Sequence, residues 1–396
     1  MIKGLEKQVF DKLKAIVSVV APILAAMFAA GKSDEVVAIL RSYPSLREFP
    51  DNQDLSMLVV VLLGLEFFCL SLVRLTGPWD PGRTRGLYSL AILAMFPIGL
   101  WISQSWKDPE SEALSRRLLS YRWVSYDPLE FDPDFQPNPA ILSIRRDLHW
   151  IHQAGFSGIV TFASTGTLQE IPAIAHKEGL AVIMGVWDPK NRLEILSAAR
   201  QKDSVLGYSV GHDRLGDSYT LTELVTAVQF LRNSSGRPVT TTERVRDYDE
   251  PGDQRLSKAS DWIFPDVHLS LQESKGPISV ERIQKDVEEM MKGIEKVKIL
   301  SKRLNRPLML KIVTFPRSGL PGASPDLQRE FFQVAIERFH DPYSGLRAGS
   351  SFVVSSAFDN QWKRTPPFKP WDRYTGLLSD HGIPFPAGKL VTERWP

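Results

Sequence analysis

Two stretches of the sequence could carry acid–base chemistry at the ends of predicted strands. The apolar run Val205–Val210 is followed by His212 and Asp213, and an imidazole beside a carboxyl can act as a general acid/base pair. The alternative is a hydrogen-bonded structural pair. Asp213 and His268 could also supply two metal ligands, but no third ligand stands at a suitable spacing. We therefore predict no metal and no cofactor, and look to a second run, Pro307–Val313, for a partner strand end.

These strand ends belong to a regular alternation of short apolar strands and amphipathic helices. The alternation implies parallel strands joined by right-handed crossovers. Eight such units suit a barrel, which typically takes ~250 residues and gathers its strand ends at one mouth. We therefore predict an α/β protein with a (β/α)8 TIM barrel over residues 121–396. An open doubly wound sheet is the alternative, but no glycine-rich phosphate loop follows the first strand. The predicted strands are Tyr121–Tyr126, Gly158–Ala163, Ala181–Val186, Val205–Val210, Pro238–Thr242, Trp262–Leu269, Pro307–Val313 and Ser351–Ala357. The predicted helices are Ile141–Ala154, Thr167–Glu178, Arg192–Arg200, Leu221–Leu231, Val280–Leu304 and Leu327–Phe339.

Three apolar runs predict a membrane anchor over residues 1–106. Leu55–Leu75 and Leu87–Trp106 have the ~20 residues that a spanning helix needs. Ala15–Ala30 is shorter, and a secretory signal sequence is its alternative. Lysine and arginine cluster before the first run and between the second and third, which places the chain after the third run outside the cytoplasm. We expect a multi-pass membrane protein with about three transmembrane helices, a linker or short helix over residues 107–120, and the barrel on the extracytoplasmic (periplasmic) side.

The number of spans, the net charge and the cysteine count indicate which kinds of partner and cross-link the chain can have. Three spans exceed what a tether requires, so we expect them to contact subunits of a membrane protein complex as well as the lipid bilayer. A formal net charge of +2 on 396 residues gives no nucleic-acid signal. The single cysteine, Cys69, excludes an intrachain disulfide.

Five motifs stand at or near the predicted strand ends. In chain order they are Phe162-Ala-Ser-Thr-Gly166, Ile174-Ala-His-Lys-Glu-Gly-Leu180 with Gly185-Val-Trp187, Pro238-Val-Thr-Thr-Thr-Glu243, Phe315-Pro-Arg-Ser-Gly319 and Ala357-Phe-Asp-Asn-Gln-Trp-Lys363. Together, from about Tyr121 to Pro386, they resemble glycoside hydrolase family 17, whose members are β-1,3-glucanases and glucan transglycosylases. The resemblance implies a barrel that hydrolyses or transfers glucan through two glutamates.

The same resemblance indicates that those carboxylates are replaced. The acid/base of the family is the Glu of Gly-Asn-Glu after strand four, where this chain has His212 and Asp213. The nucleophile position falls on Ile312, and a third family carboxylate falls on Ser356. Retaining hydrolysis requires two carboxyl groups ~5–5.5 Å apart. Asp213 is one carbon shorter than Glu, by ~1.5 Å, and Ile312 cannot attack, so the resemblance implies a catalytically degenerate barrel.

Aromatic and polar side chains near the mouth suggest a remnant glycan site. Trp187, Phe315 and Trp362 could present ring faces to a β-glucan, or could instead close the mouth and pack its loops. We predict a non-catalytic accessory or scaffold subunit of a membrane protein complex. The alternatives are a glucan-binding module, and an active β-1,3-glucan hydrolase or transglycosylase with a nucleophile unlike that of the family. The candidate glycan-binding residues are Trp187, His212, Asp213, Glu243, His268, Phe315, Trp362 and Lys363.

Overall fold

The computed structural model describes residues 109–248, 254–267, 269, 276–340, 350–365 and 368–394. Within these ranges, no helix is both long enough and apolar enough to cross a bilayer. The three predicted spans fall outside the described residues, as does His268, and so does the side chain of Ile312. The membrane anchor therefore stays a prediction.

In the described part of the chain, seven parallel strands form one sheet. In chain order they are β1 (Trp123–Ser125), β2 (Gly158–Val160), β3 (Ala181–Val186), β4 (Gly207–Val210), β5 (Val239–Thr241), β6 (Leu308–Val313) and β7 (Ser350–Val354). Their spatial order is β5-β4-β3-β2-β1-β7-β6. Each neighbouring pair is parallel, with Trp123 opposite Gly158 and Ile183 opposite Gly207. The register between β6 and β7 shifts after Leu310.

The stretch predicted as strand Trp262–Leu269 lies between β5 and β6, where its described part forms isolated bridges instead of a regular strand. The Asp266 N–H donates to the Glu243 carbonyl at 2.7 Å, and the Lys311 N–H donates to the Pro265 carbonyl at 3.0 Å. Proline has no N–H to give to a ladder, which accounts for the interruption. These bonds link the two edges of the sheet, so the curled parallel sheet is consistent with the predicted (β/α)8 barrel.

Helices follow the strands and cover the outside of the sheet. Buried Leu148 and Val228 pack in the outer core between the helices and the sheet. One of them, α5 (Leu221–Ser235), begins at a capping box formed by Thr220 and Glu223 and ends before Gly236, which adopts a φ of 66°. The α-helices are α1 (Pro109–Leu119), α2 (Ile141–Gln153), α3 (Ile171–Lys177), α4 (Arg192–Arg200), α5 (Leu221–Ser235), α6 (Val245–Tyr248), α7 (Arg255–Ala259), α8 (Val280–Leu304), α9 (Pro325–His340) and α10 (Pro386–Arg394).

The first helix, α1, packs against the end of the barrel opposite the mouth. It lies in the range 107–120, where we expect a linker or a short helix. Its acidic first turn and basic last turn match the helix dipole. Buried Leu114 and Leu118 join an apolar cluster with Trp123 and Met309, and the Trp123 indole N–H donates to the Leu118 carbonyl at 2.8 Å. The helix is therefore packed as part of the barrel domain.

Candidate functional site

The end of β4 turns sharply and brings His212 to the barrel mouth. Gly211 and Asp213 both adopt positive φ, at 76° and 52°. A Cβ at Gly211 would approach the Tyr219 hydroxyl at 2.6 Å and a Glu243 carboxylate oxygen at 2.9 Å, closer than a real side chain allows. Glycine is therefore required at this position, and the turn places the next side chain inside the mouth.

The His212 ring lies between two aromatic side chains. Its centre is 5.2 Å from that of Phe162 and 5.5 Å from that of Trp187. Its Nδ1 atom is 3.2 Å from Lys311 Nζ and 3.6 Å from Asp266 Oδ2. The imidazole therefore contacts both these aromatic rings and a buried group of charged side chains.

Lys311 is the cation of this buried group, on β6. Alternate residues of β6 face opposite sides: Leu308 and Leu310 lie in the outer core, whereas Met309 lies in the inner cluster and Lys311 contacts the mouth residues. Burial lowers the pKa of Lys311 to about 8, and negative charge on neighbouring carboxylates, Asp266 first, opposes this shift. The end of β6 thus presents an amine to the mouth next to Ile312, the position that the resemblance assigns to the nucleophile.

Glu243 follows β5 and is completely buried. Its carboxylate accepts hydrogen bonds from the Tyr219 hydroxyl at 2.6 Å and from the backbone N–H groups of Arg214 and Leu215 at 3.1 and 3.0 Å. Burial raises the pKa of Glu243 to about 7, and these hydrogen bonds oppose the rise. We interpret Glu243 as the anchor of the loop after β4, since its oxygens are engaged by the protein itself.

The carboxylate of Asp213 is engaged by an arginine. Arg244 Nε forms an ion pair with the Asp213 carboxylate, and its Nη2 donates to the Asp213 carbonyl at 2.8 Å and to the Asp217 carboxylate at 2.9 Å. This clamp ties the end of β4 to the end of β5. It holds the carboxylate that the resemblance places at the acid/base position.

Asp127, which sequence reasoning missed, follows β1 and is partly exposed. Burial raises the pKa of Asp127 to about 6, and the positive charges of Lys363 and Lys311 oppose the rise. Asp266 and Lys311 were also missed as site residues. The available signal was that Asp127, Asp266 and Lys311 each lie at or near the C-terminal end of a predicted strand.

Two expected positions prove to be structural. Ser356 is buried, and its hydroxyl donates to the Phe358 carbonyl at 2.5 Å and lies 3.2 Å from the Thr375 hydroxyl. The Phe315 ring, for which a sugar platform and loop packing are the two alternatives, is 1% exposed and stacks on Phe331 with centres 5.1 Å apart. The loop after β6 turns Phe315 into the apolar core, which favours the packing alternative.

The other aromatic candidates keep part of their surface exposed. The Arg214 guanidinium lies over the Trp187 ring, 5.1 Å from the ring centre. Trp362 packs edge-on against Phe131 and Phe368, and Lys363 Nζ lies 5.3 Å from the Trp362 ring centre. Within the described ranges, no three His, Cys, Asp or Glu side chains converge as a metal site would require.

Solved structures with similar folds include several glycoside hydrolases. A family 17 β-1,3-glucanosyltransferase from Rhizomucor miehei has a TM-score of 0.53 and 15% identity, over 68% of this chain and 96% of that one. An endo-laminarinase from Formosa Hel1_33_131 has a TM-score of 0.52 and 15% identity, over 67% and 85%. A β-glucuronidase from Faecalibacterium prausnitzii has a TM-score of 0.52 and 15% identity, over 69% and 48%.

These comparisons establish the fold alone, because the identities are low. No family model matches the chain, and no curated protein sequence matches it. The resemblance to a family 17 glycoside hydrolase barrel that the sequence indicates is confirmed at this level: the described chain forms a glycoside-hydrolase-like barrel.

Proposed function

We propose that this protein is a catalytically degenerate glycoside-hydrolase-like barrel that serves as a non-catalytic subunit of a membrane protein complex. The observation that carries the proposal is the pair of side chains at the two strand ends where hydrolysis would need carboxylates. The end of β4 has Asp213 clamped by Arg244, and the end of β6 presents Lys311.

Neither group fits retaining hydrolysis. That mechanism needs one carboxyl as acid/base and a second as nucleophile, ~5–5.5 Å apart. An ammonium beside the scissile bond would oppose the positive charge that develops on the sugar in the transition state. Glu243 does not substitute, because it is completely buried and its oxygens accept hydrogen bonds from the loop after β4.

The membrane part of the proposal rests on the sequence. The three apolar runs and the distribution of lysine and arginine support an anchor with the barrel on the extracytoplasmic side. An enzyme domain held near a membrane needs one span. The two additional runs are the reason for proposing partner subunits, which would contact the spans.

The test is purification of the full-length protein from its native membranes in mild detergent, with an affinity tag after Pro396. We expect a partner in fixed stoichiometry. Trp187→Ala, at the mouth, should retain it, whereas replacement of Leu55–Leu75 by an unrelated spanning sequence should release it. Recovery of the protein from membranes without a stoichiometric partner would contradict the scaffold role. Recovery only from the extracellular or cytosolic fraction would contradict the anchor.

A second candidate function is glucan binding, and the partly exposed rings of Trp187 and Trp362 at the mouth favour it. Ring faces with a few orienting polar groups are typical of ligand sites. Calorimetric titration with laminari-oligosaccharides tests it, with Trp150→Ala as control. Trp150 is a partly buried tryptophan on α2, where it contacts Arg146. Binding that Trp187→Ala abolishes and Trp150→Ala preserves would establish the glucan site, and the absence of heat would reject it.

A further inference from the structure

The barrel centre contains an amine that a scaffold role does not require. Lys311 is 2% exposed, and its Nζ lies 3.2 Å from His212 Nδ1 and 4.6 Å from the centre of the Phe162 ring. Lysine is almost never buried to this extent unless a particular environment holds it. Phe162 and His212 are partly exposed, so two side chains that contact the amine reach the solvent.

The environment increases the neutral fraction of the amine. Burial lowers the pKa of Lys311 to about 8, against the charges of Asp266, Asp127, Glu243 and Asp213. A surface lysine has a pKa of ~10.4, so the neutral fraction of Lys311 near pH 7 is larger by ~100-fold. The neutral amine is the form that attacks carbonyl carbon.

We propose that Lys311 binds a small, neutral aldehyde or ketone covalently and reversibly, as an imine at the base of the barrel mouth. The inference does not rest on the scaffold role, since it concerns a ligand of the barrel and neither its anchor nor its partners.

The surrounding groups can supply the proton transfers of this reaction. The lone pair of the Lys311 nitrogen forms a bond to the carbonyl carbon as the C=O π bond breaks, and the carbonyl oxygen takes a proton from the Asp127 carboxylic acid. The nitrogen loses one proton to the His212 imidazole, which leaves a neutral carbinolamine. Its hydroxyl takes that proton from His212 and leaves as water while the nitrogen lone pair forms the C=N bond, and the remaining N–H proton passes to the Asp127 carboxylate, which gives the neutral imine. One amine and one carbonyl compound thus give one imine and one water, with no oxidant or reductant.

The charges around Lys311 select among carbonyl compounds. Asp127, Asp266 and Glu243 all act on its amine with negative charge, so a ligand that carries its own carboxylate would be repelled. The rings of Phe162 and Phe264 lie 4.6 and 5.9 Å from Nζ and suit an apolar chain. We therefore expect a short neutral aldehyde to react faster than a 2-oxo acid.

The experiment treats the full-length protein with propanal and sodium cyanoborohydride, which reduces an imine to a stable secondary amine, and maps the propylated lysines by peptide mass spectrometry. Lys298 is the internal control, because it is 6% exposed but its Nζ lies 3.0 Å from the Glu295 carboxylate. We expect Lys311 to be modified at least ~10-fold faster than Lys298. Pyruvate in place of propanal should modify Lys311 ~10-fold more slowly than propanal does.

Two variants complete the test. Lys311→Arg keeps the positive charge, and it should remove the label from this peptide while the other lysines react as before. His212→Gln should slow labelling of Lys311, because it removes the group that accepts the amine proton. Labelling of Lys311 no faster than that of Lys298 in the wild type would overturn the proposal, whatever the variants do. Equal rates with pyruvate and propanal would overturn the expected selectivity.

Discussion

The two ends of the barrel are built from opposite kinds of side chain. At the end that α1 covers, the interior is apolar: Leu114 and Leu118 pack against Trp123, and Trp262 and Phe264 lie in the same cluster. At the mouth, buried positions hold Lys311, Glu243 and Asp266. Apolar burial stabilises by ~25 cal/mol per Å², whereas burying a charge costs free energy unless it is paired and hydrogen-bonded.

The difference assigns separate tasks to the two ends. The α1 end contributes stability mainly through apolar packing. The mouth holds specific groups in place through the Arg244 clamp on Asp213 and the hydrogen bonds to Glu243. Differences in the side chains at the mouth are therefore compatible with the same fold, because much of the packing that stabilises the barrel lies at the other end.

The largest effect should follow a truncation at the apolar end. Leu118→Ala should lower the free energy of unfolding by about 2–5 kcal/mol, because Leu118 is 1% exposed and its removal leaves a cavity against Trp123. The control is Leu119→Ala in the same turn, since Leu119 is 41% exposed. Urea unfolding of both variants measures the difference. Equal, small losses would contradict the view that α1 is part of the barrel core.

A smaller loss is expected at the mouth. Glu243→Ala removes the acceptor of three hydrogen bonds, from the Tyr219 hydroxyl and the Arg214 and Leu215 N–H groups. It should cost about 2 kcal/mol, whereas Tyr219→Phe, which removes one of these bonds, should cost about 1 kcal/mol. Thermal unfolding of the pair provides the comparison. A Glu243→Ala protein as stable as the wild type would show that the carboxylate does not anchor the loop after β4.

The mouth should also impose a pH dependence of stability. The pKa of Glu243 is raised from 4.5 to about 7 in the folded state, so its contribution to stability falls as the pH rises through that range. The pKa of Lys311 is lowered from 10.5 to about 8, so the unfolded state binds more protons in that range and stability rises with pH. The contribution of the mouth is therefore smallest between about pH 7 and 8.

This dependence can be measured by urea unfolding at about pH 5.5, 7.5 and 9.5. The free energy of unfolding should fall over the acid limb, from about pH 5.5 to 7.5, and rise over the alkaline limb, from about pH 7.5 to 9.5, each change being on the order of 1–2 kcal/mol. Glu243→Gln should flatten the acid limb, and Lys311→Met the alkaline limb. Limbs of the same size in the variants and the wild type would assign the dependence to other groups.

The sequence predicts regular elements well where one physical pattern dominates. Strand Ala181–Val186 and helices Arg192–Arg200 and Val280–Leu304 have the predicted bounds, because continuous apolar runs and helical periodicity are local signals. The range 107–120 is charged, and only the spacing of Leu114 and Leu118 on one face of α1 shows that it packs.

The mouth is less predictable because its contacts join residues distant in sequence. Phe315 lies in a motif that resembles a segment of glycoside hydrolase family 17, yet its loop turns the ring onto Phe331 in α9. Lys311 directly precedes the assigned nucleophile position, and only the alternation of side chains along β6 shows that the amine faces the mouth. Asp127 could not be recognised as a site residue from local patterns, because only the curl of the sheet brings the end of β1 within electrostatic reach of Lys311 and Lys363.

The proposed non-catalytic role depends most directly on the absence of glycoside hydrolysis. The decisive measurement is the release of reducing ends from laminari-oligosaccharides by the folded, full-length protein, with Asp127→Asn and Asp213→Asn as variants. The account predicts no turnover above that of buffer, because the end of β6 presents Lys311 and the Asp213 carboxylate is clamped by Arg244. Turnover by the wild type that either variant abolishes would contradict it, and would show that the barrel is an active hydrolase with a rebuilt carboxylate pair.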